Sequence, residues 1–137
     1  MNVHRIFCTS LLTFLMFVGV TGCGGPKVVP VEGRVTLDDQ PFENVQVLFY
    51  LPGGGPETNY IAITDAEGHF ALSSLKGGKR GVSPGAYSVT LTTAHWPPDA
   101  LETDPPPKEL VAPSQREHEF KVSEDGATEA NFSLTSK

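Results

Sequence analysis

The histidines are the side chains of this sequence best suited to metal or acid–base chemistry, and three of the four lie in separate segments. His69, His95 and His118 could bind a zinc ion together if loops brought their imidazoles within ligand distance. No two of them stand at the short spacing with which one strand or helical turn presents two ligands. We therefore predict no metal site and no cofactor, and a metal-dependent enzyme is a disfavoured alternative.

Serine hydroxyls offer a second kind of chemistry, nucleophilic hydrolysis. Ser83 and Ser114 could act with a histidine, but a nucleophile needs a base and an orienting group in contact with it. Neither serine lies in a Gly-x-Ser-x-Gly elbow or a comparable context. We predict no catalytic residue, and a small hydrolase is a disfavoured alternative.

Acidic side chains at Asp65 and Glu67 precede a glycine, as they do in some calcium loops. An EF-hand loop takes oxygen ligands from five or six spaced positions, and this stretch offers about two. The pattern predicts instead a tight turn that is capped by Asp65 and in which Gly68 takes a positive φ.

The only tryptophan of the chain, Trp96, is flanked by His95 and two prolines. An exposed tryptophan would be a candidate anchor for a partner protein or a sugar ring, with His95 beside it. A buried one would close one end of the fold as a lid, and we favour the lid. The acidic and proline-rich run at 102–107 has the composition of a polyproline ligand, although a solvated spacer is the commoner role.

An internal lysine–asparagine isopeptide bond is a further possibility in proteins built from strands. Asn131 lies in a plausible last strand, but Lys27 precedes the first strand and Arg34 occupies the position where a lysine would be needed. We therefore do not expect this bond.

Short strands must position all of these residues. Alternating apolar residues predict seven strands at 28–37, 45–51, 60–64, 69–73, 87–92, 119–122 and 130–134. We expect 60–64 and 69–73 to form one hairpin, and the last two strands to form another. Residues 94–116 hold six of the twelve prolines and predict a long irregular loop. No segment after residue 22 has a helical period, so the sequence predicts an all-β, antiparallel, Greek-key-type β-sandwich of about seven strands.

The N-terminal segment has the pattern of an export signal. Arg5 is its only charged side chain, and the apolar run at 6–20 is about 15 residues, shorter than the roughly 20 that span a bilayer. The ending Val20-Thr21-Gly22-Cys23 resembles a bacterial lipobox. This resemblance implies cleavage between Gly22 and Cys23 and acylation of the Cys23 thiol. Residues 23–27 would then be a lipidated tether and 28–137 a single domain; an ordinary secretory signal is the alternative.

Charge and cysteine content limit the partners. Removal of residues 1–22 would take away one basic and no acidic side chain, so the formal net charge would change from −6 to −7. This balance argues against nucleic acid and against electrostatic docking to anionic lipid. Contact with the bilayer would come from the acyl chains on Cys23, and Cys8 would be lost with the signal. The remaining chain could form no disulfide.

Four ordered motifs resemble the carboxypeptidase regulatory-like, transthyretin-like β-sandwich found in small bacterial lipoproteins. They are Gly33-Arg-Val35, Pro41-Phe-Glu-Asn-Val-Gln-Val47, Thr64-Asp-Ala-Glu-Gly-His-Phe70 and Pro84-Gly-Ala-Tyr-Ser-Val89. The resemblance covers residues 28–93 well, is looser at Asn131-Phe-Ser-Leu134, and departs from the family pattern at 114–118. It implies the fold and no catalytic group. The transthyretin-like hydrolases of 5-hydroxyisourate end in Tyr-Arg-Gly-Ser, whereas this chain ends in Leu134-Thr-Ser-Lys137.

These observations predict a membrane-anchored, extracytoplasmic lipoprotein that acts as a non-catalytic binding or structural module of the cell envelope. An accessory protein that binds carbohydrate or peptide through the Trp96 loop is the alternative. The partner would be the bilayer, through Cys23, and an envelope protein or glycan. Gly24 after the cysteine favours the outer membrane over the periplasmic face of the inner one.

Overall fold

Strands dominate the computed structural model, which describes residues 24–136. In chain order they are β1 (Glu32–Leu37), β2 (Gln40–Pro41), β3 (Gln46–Tyr50), β4 (Tyr60–Ile63), β5 (His69–Ala71), β6 (Ser73–Ser74), β7 (Gly85–Thr92), β8 (Glu117–Val122) and β9 (Phe132–Leu134). Helix in these residues is limited to two single 3₁₀ turns, Pro56–Thr58 and Pro113–Gln115. The prediction of an all-β fold is confirmed, and each of the seven predicted strands overlaps a strand of three or more residues.

The strands form two sheets. The first has the order β2-β1-β5, with β9 also paired to β1, and the second has the order β6-β4-β3-β7-β8. Pairing between the named strands is antiparallel except that β9 runs parallel to β1. The chain leaves β8 in the second sheet and reaches the first sheet beside the start of β1, where Ala127 bridges Val31. From there it runs in the same direction as β1, so the expectation of purely antiparallel pairing is wrong at this strand.

Both predicted hairpins are also wrong, because their strands lie in different sheets. β4 pairs with β3 and β6, whereas β5 pairs with β1. In the same way β8 pairs with β7, and β9 with β1. Alternation along a strand indicates which face is buried but not which strand is its neighbour. A tight turn at Asp65 can therefore lead from one sheet to the other as well as back along the same sheet.

The two sheets pack face to face through alternating apolar side chains. Val31 and Val35 of the first sheet and Val89 and Leu91 of the second have no more than 1% of their surface exposed. Rings from both sheets meet at the centre, where the centroids of Phe49 in β3 and Phe132 in β9 are 6.4 Å apart. The arrangement is consistent with a β-sandwich.

A two-residue turn joins β1 to β2 and directs the following segment toward the candidate site. Leu37 pairs with Gln40, and the two residues between them, Asp38 and Asp39, have φ of 50° and 64°. Positive φ at both central residues defines a type I′ turn, whose twist matches that of antiparallel strands. The turn leaves the segment 41–44 at the C-terminal end of β1.

Candidate binding groove around Trp96

A groove of about 630 Å³ lies where the segment 41–44 meets the loop that follows β7. We call it the Trp96 groove. Its lining is mainly apolar, with several prolines and a few charged side chains: Pro41, Phe42, Glu43, Asn44, Thr93, His95, Trp96, Pro97, Ala100, Asp104, Pro105, Pro107, Lys108 and Leu110. The segment 94–116 is irregular apart from its 3₁₀ turn, as the prolines predicted.

Trp96 is exposed to 54%, so the expectation that it forms a buried lid is wrong. Its ring also borders a second depression of about 440 Å³, formed with Pro97, Ala100, Leu101 and Glu102. Leu101 and Leu110 in the same loop are 65% and 54% exposed. Exposed large apolar side chains that lie together mark binding surfaces more often than isolated ones do.

His95 links the two segments that form the groove. Its Nε2 lies 3.0 Å from the carbonyl oxygen of Asn44, a residue in the left-handed region with φ of 59°. Because a carbonyl oxygen only accepts, Nε2 carries the proton in this contact. The other ring nitrogen, Nδ1, is buried and has no hydrogen-bond partner within residues 24–136. His95 therefore has a positioning role in the groove.

Glu109 holds the far end of the Pro-rich loop against the end of β7. Its carboxylate accepts hydrogen bonds from the Thr92 hydroxyl, from the Thr93 N–H at 3.1 Å and from the Val111 N–H at 2.9 Å. The Thr93 hydroxyl donates to the Lys108 carbonyl at 2.8 Å and accepts from the Leu110 N–H at 2.7 Å. These bonds fix Lys108 and Leu110, two residues that line the groove.

The hydrogen bonds also determine the protonation of Glu109, whose side chain is 19% exposed. Burial acts to raise the pKa of this carboxyl group, but the bonds from Thr92, Thr93 and Val111 favour the ionised form and together outweigh it. The pKa of Glu109 is therefore below its ordinary value of 4.5. Arg116 adds a longer ion pair, with 3.7 Å between its Nε and Glu109 Oε2.

The charged side chains at the groove are mostly acidic. Glu43 and Asp104 line the Trp96 groove itself, and Glu102 lines the adjoining depression. Lys108 is the only lysine or arginine among the residues that line either space. The residues around the two spaces therefore carry a net negative charge. The Asp104 carboxylate also accepts a hydrogen bond from the Leu101 N–H at 2.7 Å.

The three histidines do not come together. His69 is exposed on β5, and His118 Nε2 lies 2.8 Å from the Gln115 carbonyl oxygen with its ring against Phe132. Between residues 24 and 136, no group of three or more histidine, cysteine or acidic side chains is placed to hold a metal ion. Ser83 contacts tyrosine, since the Tyr60 hydroxyl is 3.2 Å from its Oγ, and Ser114 is exposed.

The Asp65 turn has the predicted capped form. Asp65 Oδ1 accepts from the N–H groups of Glu67 and His69 at 3.0 and 2.9 Å, and Gly68 has φ of 72°. A side chain at Gly68 would also meet the Val35 carbonyl oxygen at 2.4 Å. Asp65 Oδ1 thus serves the turn itself.

The residues considered for an isopeptide bond have other partners. Lys27 Nζ lies 2.9 Å from Glu124 Oε2, and Asn131 Oδ1 accepts from the backbone N–H of Arg34 at 3.0 Å. Asn131 therefore caps the edge of β1 with its amide oxygen.

The N-terminal residues 24–29 and the groove lie at opposite ends of the longest strands. Val29 bridges Val82, which is close to the start of β7. The ends of β1 and β7 lead to the other side, since Thr36 pairs with Pro41 and Thr92 is followed by Thr93 and His95. Six to eight strand residues extend about 20–27 Å. The proposed cleavage and lipidation residues, Gly22 and Cys23, lie outside the described residues.

Comparison of the chain with known protein families, with curated sequences and with solved structures finds no match. None of the helical turns in residues 24–136 is long and apolar enough to cross a membrane.

Sequence reasoning missed two parts of the site. In the sequence Phe42 and Asn44 stand out only as members of the motif at 41–47, and Glu109 is one acidic residue among several in the loop. Neither role has a local sequence signal, because each depends on a contact with a distant segment. The leucines at 101 and 110 could have indicated a binding surface, because a solvated spacer does not need large apolar side chains.

Proposed function

We propose that this protein is a lipid-anchored, non-catalytic binding module on the extracytoplasmic side of a bacterial membrane. The lipobox resemblance at Val20-Thr21-Gly22-Cys23 supports the anchor. The observation that carries the binding role is the Trp96 groove, in which a 54% exposed indole lies between two apolar depressions. The groove is also at the end of the domain away from the tether, where a partner has access while the anchor is in the bilayer.

The finer fold class belongs to the same proposal, namely a Greek-key, transthyretin-like or carboxypeptidase regulatory-like sandwich. Tyr87 near the start of β7 supports it, because its hydroxyl donates to the carbonyl oxygen of Ser83, four residues upstream, at 2.8 Å. Such a bond from a tyrosine to nearby upstream backbone, called a tyrosine corner, is a feature of Greek-key sandwiches. The crossing of the chain between sheets at Asp65 and after β8 is the second support.

An accessory protein for carbohydrate or peptide is the second candidate, and the exposure of Trp96 favours it over a purely structural role. A flat, exposed indole can stack on a sugar ring or pack on a peptide side chain. Within the cell envelope, we propose the outer membrane as the location, from Gly24 after the cysteine.

Intact mass of the protein extracted from bacterial membranes tests the anchor. The expected mass begins at Cys23 and includes two or three acyl chains, because one chain alone gives only marginal membrane binding. Cys23→Ala should lose the acyl mass and the membrane association. Cys8→Ala is the matched control and should keep both, since residue 8 would be removed with the signal. An unacylated wild-type protein in the soluble fraction would reject the anchor.

A further inference from the structure

We infer that the Trp96 groove binds a peptide segment that carries an arginine or lysine side chain, with the cationic group over the Trp96 ring. This inference rests on the proposed function, because it names the ligand class of the same groove. Three features of the described residues support it: the accessible indole, the rigid apolar walls and the excess of carboxylates.

The indole of Trp96 is the aromatic ring best suited to attract a cation. Its face carries the negative end of the ring quadrupole, and tryptophan gives the strongest cation–π contacts among the aromatic residues. More than half of the Trp96 surface, 54%, is exposed and free to be covered.

The walls of the groove suit the aliphatic stem of a long basic side chain. Pro97, Pro105 and Pro107 present apolar rings without backbone donors, and they do so on a loop held in place by Glu109. Lysine and arginine bury their methylene groups along such surfaces while the charged head remains hydrated. The exposed Leu101 and Leu110 extend the apolar surface beyond one side chain. A peptide with apolar neighbours therefore fits better than an isolated small cation.

Charge decides between a basic peptide and a neutral sugar. Around the indole there are three carboxylates, Glu43, Asp104 and Glu102, and one positive charge, Lys108. A guanidinium or ammonium group is attracted both by this excess of negative charge and by the ring. The net charge of −6 on the whole chain also steers such a group toward the surface. A sugar would gain from stacking on Trp96 but not from the charge, and an anionic ligand would be repelled.

Calorimetric titration with a pair of matched peptides tests the inference. The probes are acetyl-Leu-Arg-Leu-Arg-amide and the same peptide with citrulline, a neutral isostere, in place of both arginines. The arginine peptide should bind saturably, and more tightly at low ionic strength. The citrulline peptide should bind about two- to fivefold more weakly for each cation–π contact that is lost. The fluorescence of Trp96, the only tryptophan, should change on binding.

Four variants locate the binding site. Trp96→Leu keeps an apolar side chain but removes the ring, and the Glu43→Gln, Asp104→Asn pair removes two carboxylates. Each should weaken binding of the arginine peptide about two- to fivefold. Lys108→Gln should strengthen it, because it removes the one repelling charge. Glu119→Gln on β8 removes one negative charge outside the groove and should leave the affinity unchanged.

Equal affinity for the two peptides would overturn the inference, as would affinity that is unchanged in Trp96→Leu. Absence of saturable binding of the arginine peptide would also overturn it. If chitotetraose binds instead and its affinity falls in Trp96→Leu, the cation inference fails while the binding module stands. The mass experiment on Cys23 is independent of all these results, so a failure of the anchor is seen separately.

Discussion

At the scale of single residues, close approach of backbone to backbone decides which substitutions the protein tolerates. Gly33 in β1 faces the backbone of Ala130, and a Cβ built on Gly33 would lie 2.1 Å from the Ala130 carbonyl oxygen. That carbonyl belongs to the segment that leads into β9 and cannot move without disturbing the bond from the Ala130 N–H to the Glu32 carbonyl. Gly33 therefore allows the last strand to lie beside the first.

We predict that Gly33→Ala destabilises the protein by about 1–3 kcal/mol, the usual cost of forcing extra volume into a packed site. Gly85→Ala in β7 is the matched control, since a Cβ there would meet its nearest atom at an ordinary 3.6 Å. Urea unfolding of the two variants and the wild type at pH 7 measures the difference. Equal loss of stability in both variants would contradict the role given to the Ala130 contact.

Tyr87 is a second residue whose contribution can be isolated. Burial, followed by the charge and the hydrogen bond of neighbouring Tyr60, raises the pKa of Tyr87 from 10.0 to about 12. The folded state thus favours the neutral phenol. Its contribution to the free energy of unfolding is complete below pH 10 and is lost as the pH rises from 10 toward 12.

We predict that Tyr87→Phe lowers the free energy of unfolding by about 1 kcal/mol at pH 7, because the bond to the Ser83 carbonyl is lost. The difference between variant and wild type should shrink as the pH rises from 10 toward 12. Denaturant unfolding across this range measures it, and Tyr50→Phe, at a half-buried position, is the control. A difference that stays constant with pH would reject the assignment.

At the scale of elements, the Pro-rich loop depends on Glu109 rather than on secondary structure of its own. The carboxylate takes hydrogen bonds from both ends of the connection, Thr92 and Thr93 at the end of β7 and Val111 beyond the prolines. A long loop with little regular structure loses much conformational entropy on ordering. The order of the Pro-rich loop therefore depends on a small number of contacts, and Glu109 makes several of them.

We predict that Glu109→Gln destabilises the protein by about 1–3 kcal/mol at pH 7, since it removes bonds to a charged acceptor. Because the pKa of Glu109 is lowered in the fold, its contribution is present above the ordinary value of 4.5 and is lost as the pH falls through the folded pKa. The difference between variant and wild type should therefore decrease below pH 4.5. Glu102→Gln, on the exposed part of the loop, should change stability little at either pH.

Chemical denaturation of these three proteins between neutral and acid pH provides the measurement. Acrylamide quenching of Trp96 fluorescence in the native state gives a second readout. A loss of global stability alone would not change this quenching. Greater quenching in Glu109→Gln, with unchanged circular dichroism, is expected if the carboxylate orders the loop. Unchanged quenching together with unchanged stability would contradict the role of Glu109.

At the scale of the whole molecule, the direction of β1 and β7 separates the N-terminal residues 24–29 from the groove. Both strands begin at the end where Val29 bridges Val82, and both end at the groove. A six-residue strand alone extends about 20 Å. In a lipid-anchored protein with a tether of only five residues, 23–27, the groove would face away from the membrane.

We predict that Trp96 in the acylated protein, reconstituted in vesicles, is quenched by acrylamide in the aqueous phase but not by brominated acyl chains. Because Trp96 is the only tryptophan, its fluorescence reports the groove directly. The double variant Trp96→Phe, Val28→Trp places the only indole at the exposed tether end and should be quenched by the brominated lipid. Strong quenching of Trp96 by that lipid would show that the groove end contacts the bilayer.

The all-β class and the approximate positions of seven of the nine strands could be predicted from local sequence. Period-two alternation is a local property, and the alternating residues Val31, Val35, Val89 and Leu91 are buried in the structure. Turn residues were predictable for the same reason, as at Asp65 and Gly68. The lipobox resemblance at Gly22 and Cys23 is equally local, and it stays a prediction.

The neighbours of each strand and the position of Trp96 could not be predicted, because both depend on contacts between distant segments. The turn at Asp65 has the same local bonds whether the next strand stays in its sheet or crosses, so the partners of β4 and β5 depended on the core as a whole. The exposure of Trp96 likewise depended on two distant contacts, His95 with Asn44 and Glu109 with Thr93. Such contacts join residues that no local pattern relates, because packing free energy depends on the assembled chain rather than on any one segment.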